Sequence, residues 1–107
     1  MSDRLIAAYL LWRNESFPPG SSRDDVDELH AEIATIEEWV AALVIPFVEH
    51  GERYPVKIDV QAGIDRAREQ VDELKRSGHA DDRALLDRYE CYLQLLADVF
   101  QAFQAES

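Results

Sequence analysis

Val26, Leu29, Ile33, Ile36, Val40, Leu43 and Phe47 recur at alternating spacings of three and four residues. This is the a/d pattern of a helix packed along another helix, sustained for about three heptads. Two further stripes follow it, through Val60, Ile64, Ala67, Val71 and Leu74, and through Leu85, Tyr89, Tyr92, Leu96, Val99 and Phe103. A shorter one precedes it, with Leu5, Tyr9 and Trp12 in line and Ile6 and Leu10 beside them. The pattern predicts an all-α protein, an antiparallel bundle of four helices: a short N-terminal helix and three longer ones, the second central.

Punctuation between the stripes sets the boundaries. The first helix is expected over residues 3–14, with Ser2 as its cap. Phe17-Pro18-Pro19-Gly20-Ser21-Ser22 excludes helix and marks 15–23 as a linker. Ser22, three residues before Asp25, resembles a capping box that would open the second helix at about residue 23. Pro46 removes a hydrogen bond within that helix and predicts a kink or an early stop, with Gly51 ending it near residue 50. Asp59 is the expected cap of the third helix, Ser77-Gly78-His79 its stop, and Asp81 the approximate start of the fourth. Residues 1–107 form one domain, and the short later connections make the last three helices antiparallel neighbours.

Two stretches carry more apolar surface than one neighbour needs. Residues 39–48 are apolar nearly all round, and Leu86, Leu93, Leu95 and Phe100 flank the stripe of the fourth helix. Such a surplus points to a subunit interface, with a homodimer slightly favoured, or to a partner site.

Charge narrows the partners. Twenty-two acidic against eleven basic residues give a net charge of −11, which repels nucleic-acid backbones and anionic lipid and argues against direct binding to either. The longest apolar run, residues 39–48, is half of the ~20 residues that cross a bilayer. One cysteine, Cys91, allows no intrachain disulfide, and the N-terminal stretch is too short and too acidic for a signal peptide. The chain is expected in the cytoplasm.

Catalytic chemistry is sparse. Asp27 and His30, one turn apart, with Glu37 two turns on, are the nearest approach to a carboxylate/histidine metal set in a helical bundle. A solvated helix start accounts for them as well. His50 and His79 fall at a helix end and in a turn. Serines 2, 16, 21, 22, 77 and 107 lie in no nucleophile elbow, and glycines 20, 51, 63 and 78 form no phosphate loop. No base or cationic cluster sits beside Cys91 to activate it. No cofactor is implied.

What remains is surface. No Lys or Arg occurs between Arg23 and Arg53, and Asp24, Asp25, Glu28, Glu32 and Glu38 project away from the apolar stripe. An acidic helix steers association with a basic partner. Asp24, Asp25, Glu28 and Glu32, with Trp39 and Val48 in the apolar stretch, are the candidate partner-binding residues. The sequence thus predicts a non-enzymatic protein-interaction module: a small acidic regulator, inhibitor or assembly factor. Two alternatives are an acidic inhibitor that imitates nucleic acid, antitoxin-like or of the counterdefence kind, and a metal-dependent helical-bundle enzyme using Asp27, His30 and Glu37.

Overall fold

A computed structural model describes residues 2–78 and 82–106. Four helices follow one another: α1 (Asp3–Asn14), α2 (Asp24–His50), α3 (Val60–Arg76) and α4 (Arg83–Ala105). The bundle is 44 Å long, close to the ~40 Å that the 27 residues of α2 span at 1.5 Å per residue.

The helix ends are set locally. The Ser2 hydroxyl accepts from the Leu5 N–H at 3.3 Å, and the Asp59 carboxylate accepts from the Ala62 N–H at 3.0 Å. Gly51 takes a left-handed conformation (φ 68°), and its N–H bonds the Phe47 carbonyl at 3.0 Å. One expectation fails at α2. Arg23, not Ser22, occupies its N-cap and supplies no side-chain cap. The neighbouring Ser21 hydroxyl instead accepts from the Arg23 N–H and donates to Asp82, while Arg23 Nε pairs with Asp82 at 3.3 Å. Pro46 lies inside the helix, which runs on to His50 and ends at Gly51 as expected, so of the kink or early stop only the early stop is excluded. The expected start of α4 at Asp81 and the turn residue His79 lie outside the described residues; Asp82 is the N-cap observed.

The centre of the bundle is α4 rather than α2, because α1, α2 and α3 all pack on it. This explains the flanking leucines: Leu86, Leu93 and Phe100 are fully buried beside Tyr89, Leu96 and Phe103. Helix α1 runs antiparallel to α4, with the Ser2 N–H on Glu106 at one end and the Trp12 indole on Tyr92 at the other. Leu5, Tyr9 and Trp12 are its buried stripe, as the spacing predicts, and Leu10 and Leu11 face outwards. On the opposite side, Lys75 of α3 bonds both Asp87 and Glu90 of α4 at 2.6 Å. Among the described residues no helix is long and apolar enough to cross a membrane.

Candidate functional site

One edge of α2 carries two kinds of surface in succession. At 100° per residue, Asp25, Glu28, Glu32, Trp39 and Leu43 fall within roughly 60° of arc. The first half of this edge is acidic and the second apolar. Asp25 and Glu28 are exposed and Glu32 is half-buried, while Trp39 and Leu43 are half-buried beside the start of α3 and the loop that precedes it.

A hollow adjoins each half. At the acidic end Asp25 and Glu28 meet Gln70, Glu73 and Leu74 of α3 around a cleft of about 330 Å³. At the apolar end Trp39, Ala42 and Leu43 meet Pro55, Lys57, Ile58 and Val60 around one of about 150 Å³. Exposed Tyr54, Val56 and Ile58 extend the apolar surface along the loop, 49%, 44% and 46% accessible where core residues are near zero. Gly63 makes the apolar end possible. A Cβ there would lie 3.3 Å from Cζ3 of Trp39 and 3.5 Å from Cγ1 of Ile36, so the absent side chain lets the indole lie over α3. Neither Gly63 nor the loop residues belong to a motif. The visible signals were a glycine inside an apolar helical stripe and three large apolar residues in a loop.

The six candidate partner-binding residues do not converge. Asp25, Glu28, Glu32 and Trp39 share the α2/α3 edge, and Asp24 is exposed further round the helix. Val48 does not belong with them: nine residues after Trp39, it projects roughly 180° away, half-buried on the other side of α2. The run 39–48 is therefore two surfaces. Trp39 and Leu43 belong to α3 and its loop, whereas Ala41 and Val48 turn the other way.

Opposite the α2/α3 edge, the linker is fastened by an aromatic and polar network. The Phe17 ring stacks on His30 with centroids 4.4 Å apart and lies 5.0 Å from Tyr92. The Tyr89 hydroxyl contacts His30 Nδ1 at 2.8 Å and donates to the Pro19 carbonyl at 3.2 Å. A phenol has one hydrogen to give, so both contacts are made together when His30 Nδ1–H donates to the Tyr89 oxygen. The Trp12 indole N–H donates to the Tyr92 oxygen at 3.1 Å, and Tyr92 donates to Glu37. Phe17, Tyr89 and Tyr92 carry no motif either, but phenols on a core stripe require polar partners, and that signal was legible.

His30 and Glu37 are thus each engaged with a tyrosine, and among the described residues no group of three or more His, Cys, Asp or Glu side chains is placed to hold a metal ion. Cys91 and His50 are exposed.

Burial pushes the Tyr89 phenol up to about 12, with the nearby Asp27 charge adding to it. Burial and then the Glu37 hydrogen bond raise Tyr92 as well. A phenol whose folded pKa lies above its unfolded value of 10.0 stabilises the fold fully below pH 10, and that stability is lost as pH rises through the folded pKa. Urea midpoints should therefore fall steeply between pH 10 and about 12, and less steeply in Tyr89→Phe. A flat profile would contradict this assignment.

Comparison with known protein families, with curated proteins and with solved structures finds no match for this chain. The geometry alone carries the functional reading.

Proposed function

We propose that the protein is a non-enzymatic, cytoplasmic protein-interaction module whose α2/α3 edge receives a basic, amphipathic segment of another protein. One observation carries this reading: the acidic and apolar halves of a single α2 edge lie in line, each beside a hollow. Apolar anchors would fill the end at Trp39 and Ile58, while Lys or Arg side chains would meet Glu28, Glu32 and Glu73. Apolar contacts fix affinity and residence time, and the charges speed encounter and select against acidic partners.

A second copy of the chain is a poorer occupant, because it brings a net charge of −11 to an acidic surface. Imitation of nucleic acid accounts for the acidic half and leaves Trp39, Val56 and Ile58 without a role.

The test is affinity capture from the native host on immobilised wild type, on Glu28→Lys/Glu32→Lys and on Ile58→Glu. A genuine partner should be lost about tenfold or more with either variant, equivalent to ~1.4 kcal/mol each. Added salt should weaken its capture by wild type. Equal retention of the captured protein by all three forms, or nothing retained above blank resin, would overturn the reading.

A further inference from the structure

We propose that the outer face of α1 is a dimer interface, on which a second copy of this chain docks its own α1 antiparallel. No charged residue occurs between Arg4 and Arg13, so the helix is apolar on the side that leaves the bundle as well as on the side that enters it. At 100° per residue, Leu10 and Leu11 lie roughly 130° to either side of the buried stripe of Leu5, Tyr9 and Trp12. Ala7 falls between them, opposite that stripe. Leu10 and Leu11 are 53% and 60% accessible, more than any other large apolar side chain among the described residues. A helix whose one task was to cover α4 would carry polar residues there.

Charge chooses the occupant. The chain carries −11 overall, yet α1 is the one helix with more basic than acidic residues. It has two arginines and one aspartate, whereas α2 has eight acidic residues and no Lys or Arg. A second copy therefore meets less repulsion on α1 than on any other helix. The α2/α3 edge lies on other helices, so this inference does not rest on the proposed function.

The ends of α1 set the direction. Among the described residues, none of Asp3, Arg4 and Glu15 has an oppositely charged partner within 4.0 Å. An antiparallel pair places Asp3 beside Arg13 of the second copy and Arg4 beside its Glu15, each contact made twice about a two-fold axis. A parallel pair would set like charges together at both ends. In the middle, Leu10 and Leu11 of each copy pack against Ala7 of the other, whose small side chain lets the helices approach closely.

Length sets the strength. The 12 residues of α1 make a helix about 18 Å long. Two such helices bury an area at or below the ~1,200 Å² that bounds weak contacts, so the dimer should have a Kd on the order of 100 µM.

The experiment is sedimentation equilibrium on the full chain, from about 10 µM to about 1 mM, a range that brackets this Kd. Wild type should fit a monomer–dimer equilibrium. Leu10→Glu/Leu11→Glu changes only exposed side chains, so the helical circular-dichroism spectrum should persist while dimerisation weakens at least about tenfold. Arg4→Glu should weaken it several-fold, and Arg4→Glu/Glu15→Arg should restore it. The two residues stand eleven apart in the chain, about 16 Å along one helix, so only a second chain can make that rescue. Ile58→Glu, on the α2/α3 edge, should leave the dimer unchanged. A monomer at the highest concentration, a dimer indifferent to Leu10→Glu/Leu11→Glu, no rescue by the charge exchange, or loss of the dimer on Ile58→Glu would overturn the proposal.

Discussion

Phe103→Ala should be the most damaging single substitution outside the α1 face, lowering stability by about 3–5 kcal/mol. Phe103 is fully buried near the end of α4 and meets Phe47 of α2 edge-on, with centroids 5.4 Å apart at 78°. The Arg53 guanidinium carbon lies 4.4 Å from its centroid, and Arg53 Nη2 donates to its carbonyl at 3.3 Å. One ring therefore ties the ends of α2 and α4 to the loop that leads to α3. Most of the loss comes from the cavity and the vanished ring–ring contact. The cation–π share is about 0.5–1 kcal/mol at a site this open, so Arg53→Ala should cost a fraction of what Phe103→Ala costs. For a chain of this size the melting temperature of Phe103→Ala should fall by roughly 15–30 °C. A drop similar to that of Arg53→Ala would show that the ring is not the joint described.

Trp12→Ala should cost a similar amount, about 3–5 kcal/mol, and its consequence should be local. Helix α1 is only 12 residues long, too short to persist alone. Leu5, Tyr9 and Trp12 hold it to the bundle, helped by the bond from the Tyr9 hydroxyl to Glu49 at 2.9 Å. Without the indole, its hydrogen bond to Tyr92 goes as well, while Tyr92 keeps Glu37 as its acceptor. Detachment of α1 should then precede global unfolding. Limited proteolysis should cut residues 15–23 faster in Trp12→Ala than in wild type, while α2, α3 and α4 remain protected. Uniform cleavage along the chain would indicate that α1 unfolds only with the rest.

The extent of the fold that the letters reveal follows from the range of each interaction. Ser2, Asp59 and Gly51 act within one turn of their own helix, and each does what its residue type predicts. Ser22 fails as a cap because the competing Ser21 hydroxyl is fixed by Asp82, 61 residues away. No local pattern contains that contact. The central position of α4 is half legible: its apolar arc is visibly wide, but the stretch 39–48 of α2 is comparably apolar, and composition alone does not rank the two. Counting 100° per residue separates Trp39 from Val48, so that division could be made without coordinates. The α2/α3 edge needed the fold. Gly63, Ile58 and Glu73 come from different segments, and only packing sets them beside Trp39 and Glu28.

The central claim, that the α2/α3 edge takes a basic amphipathic segment, is tested most directly by selecting a displayed library of random helical peptides on the immobilised chain. The account predicts winners with large apolar residues clustered at one end and Lys or Arg at the other, binding that weakens with salt, and loss of that binding on Ile58→Glu and on Glu28→Lys/Glu32→Lys. Winners that are uncharged or acidic, or basic ones that bind both variants as well as wild type, would contradict it.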